Sequence, residues 1–202
     1  MRPIPRAAAR QLCEHKHYLR SYPGGSLLDI GAFAGNQLLG VAVLAVGPAN
    51  IHRLFLEAKQ EQVVDLSRLW LDDRLGRNSE SRVLAIVVRL LRRHQSTIKA
   101  LVAYSDPQVG HSGVVYRAAG FAYVGLSDSM PRYRLPDGSM LHSRSLSHAF
   151  GSHSRRHFAA HGVQLELVRQ EAKHTYLACV DRSWAARLAR PILPYPRQED
   201  AQ

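Results

Sequence analysis

The chain has 202 residues, 46% of them hydrophobic and 21% charged, and its 27 lysines and arginines against 16 acids give a net charge of +11. That length suits one domain, or one domain with an appendage, and excludes a fragment too small to bury a core. No apolar run approaches a membrane span, the start Met1-Arg2-Pro3-Ile4-Pro5-Arg6 lacks the apolar stretch of a secretory signal, and two distant cysteines, Cys13 and Cys179, make neither a disulfide framework nor a metal pattern. A cytoplasmic protein with no membrane contact is expected, and its charge points to a polyanion, nucleic acid foremost; a merely solvated basic face is the bland reading.

Residues 1–26 read as a basic N-terminal arm, with Arg2, Arg6, Arg10, Lys16 and Arg20 against Glu14 alone. Residues 7–12 predict a short helix and Tyr22-Pro23-Gly24-Gly25 a turn. Taken by themselves, the histidines of His15-Lys16-His17-Tyr18 read as surface groups. Residues 27–46 predict a hairpin turning at Gly35-Asn36, its second run apolar on both faces and therefore central in a sheet. Gly47-Pro48 ends it, and Asn50 reads as the cap of a short helix through Ala58.

Residues 63–126 carry the strongest candidate for chemistry. A strand over 63–71 alternates so that Arg68 shares a face with Val64, Leu66 and Trp70, which calls for an acid partner or a bound anion. The polar loop 72–79 leads to a helix over 80–94 with Val83, Leu84, Val87 and Leu91 on one side and Arg82, Arg89, Arg92 and Arg93 largely on the other. Asn78 or Ser79 is its expected N-cap. Free amides there suit a phosphate, although many helices begin this way and bind nothing. A strand over 100–104 delivers Asp106 to its C-terminal end, where open α/β sheets place ligands. Tyr116 follows about one turn into a helix closed by Gly120. An acid and a phenol beside one loop suit proton transfer or metal binding, while Tyr116 alone also reads as a packing residue.

From Met130 the composition shifts. Arg132-Tyr133-Arg134 precedes a turn at Pro136-Asp137-Gly138, and residues 138–165 hold no acid but five histidines with Arg144, Arg155 and Arg156. Arginine, serine and histidine without competing carboxylates suit phosphate contact. His153, His157 and His161 recur at helical spacing, which allows a metal in principle, but no cysteine or carboxylate stands nearby. Strands over 163–168 and 175–180, a short helix over 184–188 and an extended proline-rich tail, disordered at its end, complete the reading.

The order hairpin, strand, loop, helix, strand, helix ending in Gly-Phe, strand resembles the Gcn5-related N-acetyltransferase (GNAT) fold. The segment Tyr116-Arg117-Ala118-Ala119-Gly120-Phe121 looks like that fold's last conserved helix, where a tyrosine often protonates the departing thiolate. The implied fold class is α/β (α+β): a central mixed, mostly antiparallel sheet flanked by helices, with residues 27–130 as core and a basic C-terminal extension, 131–202, completing the domain. A closer resemblance is to the Mom family of phage Mu-type DNA-modification proteins. It rests on His17-Tyr18, Leu66-Ser67-Arg68-Leu69-Trp70, Asn78-Ser79-Glu80-Ser81, Tyr104-Ser105-Asp106-Pro107, Gly110-His111-Ser112-Gly113, Tyr116, Lys173-His174-Thr175-Tyr176 and Leu193-Pro194-Tyr195-Pro196.

That resemblance implies a transferase converting adenine in phage DNA to N6-carbamoylmethyladenine, an anti-restriction modification made in the cytoplasm of the bacterial host. Its functional positions would be His17, Tyr18, Arg68, Asp106 and Tyr116, with His17, Tyr18, Asp106 and Tyr116 the candidate ligands of an iron ion. Arg77, Asn78, Ser79 and Ser81 would face the donor, an acyl-CoA or another phosphate-bearing, glycine-like carrier. Arg132, Arg134, Arg144, Arg155 and Arg156 would hold double-stranded DNA by its phosphates while the target adenine flips out. A homodimer is the assembly allowed for.

One departure bears on the donor. The acetyltransferase loop pattern is Gln/Arg-x-x-Gly-x-Gly/Ala, whereas Asp73-Arg74-Leu75-Gly76-Arg77-Asn78 begins with an acid and ends with asparagine. Asp73 repels a pyrophosphate and the Asn78 side chain crowds it, which sets coenzyme A in doubt. Two other functions compete: an N-acetyltransferase acting on a small molecule or protein with acetyl-CoA, and a non-catalytic DNA-binding protein with a degenerate GNAT core. Stabilisation by acetyl-CoA without DNA affinity marks the first. DNA affinity and function that survive Asp106→Ala and Tyr116→Phe mark the second.

Overall fold

The computed structural model describes residues 1–128, 131–142, 146, 150–152, 154–169 and 172–196. In chain order the elements are β1 (Arg2–Pro3), α1 (Arg6–Lys16), β2 (Ser26–Ala34), β3 (Gln37–Ala45), β4 (Val63–Leu71), α2 (Ser79–His94), β5 (Ala100–Ser105), α3 (Val114–Ala118), β6 (Ala122–Leu126), β7 (Pro131–Arg134), β8 (Met140–His142), α4 (Arg155–Ala160), β9 (Glu166–Arg169) and β10 (His174–Cys179). A seven-stranded sheet runs β1-β2-β3-β4-β5-β10-β6, and a second sheet of three runs β8-β7-β9. Every neighbouring pair is antiparallel except β4 and β5. The fold is mixed α/β with a mostly antiparallel main sheet. Among the described residues no helix is long and apolar enough to cross a membrane.

Each face of the main sheet is covered for a reason visible in residue spacing. Val83, Leu84, Val87 and Leu91 make one stripe of α2 and bury it on Ile30, Leu44, Val64 and Leu101. A fully buried valine or leucine contributes roughly 1.5–3 kcal/mol, so this stripe is a large part of what holds α2 in place. Arg92, Arg93 and His94 in its last turn complement the helix dipole. On the opposite face α1, longer than the 7–12 expectation, buries Ala9 and Cys13 against Val41 and Val43. The N-terminal arm is thus folded, with β1 added at the sheet edge beside β2.

Several local expectations are corrected. Asn50 stands at the N-cap of a 3-10 turn that spans only Ile51–Leu54 and makes no side-chain cap, its amide reaching Asp128 at 3.3 Å, and Gln60–Gln62 is a separate 3-10 turn. The short helix expected over 184–188 is a 3-10 turn, Arg182–Arg187, opened by Asp181 accepting from the Ser183 amide. The proline-rich tail is tied down as far as Tyr195, through Leu193 N to Tyr123 O and Tyr195 Oη to Phe121 O, each 2.8 Å. Residues 197–202, the expected disordered end, lie outside the described residues.

Two features position the candidate site. The first is a fork: β4 pairs with β5 only from Val63–Ala100 to Asp65–Val102. Beyond that point β4 continues along β3 and β5 along β10, so the parallel pair opens toward its C-terminal ends. The second is a β-bulge. Leu44 pairs with Leu66 but Val43 pairs with Arg68, which leaves Ser67 as an extra residue on β4. The bulge inverts the alternation. Val64 and Leu66 face α2, whereas Arg68 and Trp70 lie opposite Val43 and Val41 on the α1 face, and Leu69 and Leu71 take over toward α2. The expected shared face of Arg68 with Val64 and Leu66 is therefore wrong, and one inserted residue is the reason.

Candidate functional site

Helix α1 ends at His17, which is buried at 5% exposure rather than lying on the surface. Its Nδ1 accepts from the Leu19 amide at 3.1 Å, so the neutral ring carries its proton on Nε2. Burial, then the Arg68 guanidinium and His111, push the imidazole down to about 4, and the ring is neutral at physiological pH. Tyr18 is half exposed. Its ring centroid lies 4.5 Å from that of His17 and 5.0 Å, edge to face, from that of His111. Burial and the Asp106 charge raise the Tyr18 phenol above its ordinary value.

Arg68 meets neither an acid nor an open anion site. Nε donates to Ser21 O at 2.9 Å, Nη2 to Ser21 Oγ at 3.1 Å and Nη1 to Ser67 O at 2.6 Å. It clamps the loop that follows His17-Tyr18 onto the bulge, so its observed work is positional.

Asp106 is delivered by the end of β5. One carboxylate oxygen accepts the Gln108 amide at 3.1 Å and the other pairs with Lys173 Nζ at 3.1 Å. Tyr116 in α3 packs its ring against Phe121 and Tyr176, centroids 5.7 and 5.2 Å away. Burial first, then the Asp65 charge, hold its phenol far above the ordinary range, so it is a proton carrier at neutral pH. Gly113 makes this approach feasible: its φ is +72°, and a Cβ there would overlap the Tyr176 ring, whose hydroxyl donates to Ser112 O at 2.8 Å.

Tyr18 links the four at the opened end of the fork: His17 packs on its ring, the Asp106 charge acts on its phenol, and it acts in turn on the Tyr116 phenol. As arranged they do not fit a metal ion. The Nδ1 lone pair of His17 is already taken by the Leu19 amide, and Asp106 is already paired with the Lys173 ammonium. Among the described residues no three His, Cys, Asp or Glu side chains group to hold a metal; His153, a member of the histidine repeat, lies outside them.

Of the expected donor-binding group, Arg77 and Asn78 are exposed, Ser81 is half-buried and Ser79 is buried. Asn78 stands at the N-cap of α2 with a left-handed φ of 60° and makes no side-chain cap. Ser79 Oγ donates to the Glu80 carboxylate at 3.2 Å, while Ser81 Oγ donates to Asn78 O at 3.1 Å. Asp72 accepts from the Arg74 amide and pairs with its guanidinium at 2.8 Å, which pulls the carboxyl down to about 2. An open cleft of about 340 Å³, bounded by Ala85, Val88, Arg92, Ala119 and Cys179, holds none of the residues expected at the site.

In the C-terminal unit Arg132 and Arg134 lie on β7 and Arg156 is exposed on α4. Arg134 pairs with Glu166 at 3.0 Å. Arg155 belongs to α4, and Arg144 falls outside the described residues.

A family model, that of the Mom protein family, matches residues 1–197. The chain belongs to the Mom protein family. It is 28% identical over 194 residues to methylcarbamoylase Mom of Escherichia phage Mu, covering 94% of this chain and 80% of that protein. Among solved structures it is similar to AAC(6')-Ib in complex with paromomycin and acetyl-CoA, with a TM-score of 0.43 and 15% identity over 79% of this chain and 67% of that one. It is also similar to an N-acetyltransferase from Staphylococcus aureus Mu50, with a TM-score of 0.41 and 10% identity over 76% and 67%.

Three side chains at the site of this Mom-family protein escaped the reading of single motifs. Lys173 precedes β10, and only the pairing of β10 with β5 sets it beside Asp106. His111 reaches Tyr18 from the loop after β5. Asp65 sits at the fork, buried, with Ser67 Oγ donating to one oxygen and no partner for the other. Burial pushes its carboxyl up to about 6 despite Ser67, Arg68 and Lys173. An acid on the inward-facing side of a strand was the available signal for Asp65; His111 and Lys173 stood within motifs that carry the family resemblance, but neither stretch by itself assigned them a role.

Proposed function

We propose that this protein is a transferase that modifies DNA, adding a carbamoylmethyl group to N6 of adenine and so blocking restriction enzymes that read that position. The observation that carries the reading is the set at the fork: an acceptor, Asp106, beside a half-exposed aromatic surface, Tyr18 with His17 and His111, in a Mom-family chain of net charge +11. The relative in phage Mu is named a methylcarbamoylase, which supports the group transferred.

The basic surface holds the duplex by its phosphates, and the target base leaves the stack to reach the fork, because N6 is shielded inside the helix. Tyr18 offers a ring on which that base stacks. N6 attacks the methylene of a carrier-bound carbamoylmethyl group. The N6–C bond forms and the C–carrier bond breaks with its electron pair going to the carrier. The N6 proton passes to Asp106, and the Tyr116 phenol supplies a proton to the departing carrier. No step is routed through a metal. The carrier is a phosphate-bearing, glycine-like or acyl donor, for which the exposed Arg77 and the first amides of α2 remain as contacts.

The test is nucleoside mass spectrometry of DNA from cells expressing the protein. A deoxyadenosine heavier by one carbamoylmethyl group is expected, with its loss in Asp106→Ala and strong reduction in Tyr116→Phe. Unmodified DNA alongside soluble protein overturns the reading, and stabilisation by acetyl-CoA without DNA affinity would replace it with acetyl transfer.

A further inference from the structure

The register of β10 against β5 has a chemical consequence at the fork. His174 pairs with Ser105, so the next residues, Lys173 and Asp106, stand opposite each other just beyond the paired strands. Both are held in place. The Lys173 backbone is bound twice by Ser127, which donates its amide to Lys173 O at 2.8 Å and accepts from Lys173 N through Oγ at 3.0 Å. The Asp106 carboxylate is oriented by the Gln108 amide. The two side chains meet at 3.1 Å and remain open to solvent, 12% exposed for Asp106 and 29% for Lys173. Asp65 lies on another side of Lys173, close enough for the ammonium to act on its titration. Tyr18, close enough for the Asp106 charge to act on its phenol, supplies the adjoining half-exposed ring.

We propose that Lys173 and Asp106 read the amino edge of the target base, Asp106 accepting from N6–H and Lys173 donating to the adjacent ring nitrogen, N1 or N7. This rests on the DNA-adenine reading above and adds a specificity residue, Lys173, to it. The ion pair presents an acceptor beside a donor. Adenine presents the complement, an amine beside a ring acceptor, on both its Watson–Crick and its Hoogsteen edge. Guanine and thymine present a carbonyl beside an N–H on the Watson–Crick edge, so carboxylate would face oxygen and ammonium would face N–H; cytosine presents the same amine and ring acceptor as adenine there, so the pair selects amino-bearing bases and rejects guanine and thymine. Each partner keeps capacity for the base, since an ammonium has three donors and each carboxylate oxygen two lone pairs. Donation to the ring nitrogen also draws electron density from the amine, which makes its proton easier for Asp106 to remove.

The experiment has two arms. In cells, nucleoside mass spectrometry compares the parent protein with Lys173→Met, which removes every donor, and Lys173→Arg; modification is expected to fall at least tenfold in Lys173→Met and to recover in part in Lys173→Arg. If the parent modifies no DNA, the functional reading itself has failed; if parent and Lys173→Met modify equally, only the role of Lys173 has. In vitro, full-length protein binds duplexes carrying adenine, 1-deazaadenine or 7-deazaadenine opposite an abasic site. The parent should lose roughly tenfold in affinity for one of the two deaza bases, the discrimination of a good bidentate contact, and which base it is identifies the edge read. Lys173→Met, with no donor left, should bind all three alike. A merely structural lysine would leave the parent indifferent to both deaza bases, and that result overturns the proposal. The fold should tolerate the change, because a partly exposed ion pair contributes little to stability.

Discussion

Two side chains at the fork are held in protonation states that oppose each other as pH changes. His17, held down to about 4, is folded as a neutral ring. As pH falls below about 6.5 the unfolded chain takes up a proton that the folded one refuses, so stability present above 6.5 is lost by pH 4, on the order of 3 kcal/mol in full. Asp65, held up to about 6, runs the other way. Its buried charge costs stability above pH 6, and that cost is relieved as pH falls toward 3.8, the ordinary value. In the parent the two slopes largely cancel between pH 6 and 4. Urea unfolding at a series of pH values should separate them: His17→Gln should gain stability on acidification through that window and Asp65→Asn should lose it. Asp65→Asn should also exceed the parent by about 1–3 kcal/mol at pH 8, because it removes a buried charge with one oxygen unpartnered. A loss of stability at pH 8 would mean that the carboxylate is well satisfied, and would sink this account of Asp65.

At the scale of elements, the bulge takes up Ser67 between Leu66 and Arg68. Deleting Ser67 closes the bulge but leaves Arg68 opposite Val43 on the α1 face, because Leu66 and Arg68 then alternate directly; what is lost is the Ser67 hydroxyl bonded to Asp65, the Ser67 carbonyl that accepts from Arg68 Nη1, and the local bend of the strand. A loss of roughly 2–3 kcal/mol is expected, since the buried Asp65 loses a partner and the clamp on Ser21 must readjust. Ser67→Ala keeps the bulge and removes only the bond to Asp65, at a cost of about 1 kcal/mol. Circular-dichroism melts of the two variants read this contrast, and equal melting temperatures would remove the bulge from the argument. The same bulge shows what was legible in the residues. The α2 stripe and the β2–β3 hairpin follow from periods of 3.6 and 2 and from a Gly-Asn turn, all local signals. An inserted strand residue changes no composition and leaves every side chain plausible, so Arg68 was assigned to the wrong face. His17 looked like a surface histidine because the strands that bury it are remote in sequence. Asp106 and Tyr116 were singled out by their places at a strand end and one turn into a helix, and again by motif resemblance, but Lys173 beside Asp106 is a consequence of pairing β10 with β5, which no local pattern encodes.

At the scale of the molecule, the excess of positive charge makes a quantitative claim about DNA. Each phosphate neutralised by a lysine or arginine releases counterions, so log K should fall linearly with log salt, with a slope of about −0.9 per contact. The arginines of the C-terminal unit are not equivalent in this respect. Arg156 is exposed on α4 with no acid seen pairing with it among the described residues, whereas Arg134 is already neutralised by Glu166 at 3.0 Å. Arg156→Ser should therefore flatten the salt slope by about 0.9 and weaken binding to every duplex alike, since a phosphate contact carries no base information. Arg134→Ser should change the slope much less, because that guanidinium must first leave its carboxylate to meet a phosphate. Fluorescence anisotropy with a labelled duplex between about 50 and 200 mM salt measures both. Parent-like slopes in Arg156→Ser would take α4 out of the DNA interface and shift the phosphate-binding surface to α1, where Arg6 and Lys16 stand exposed.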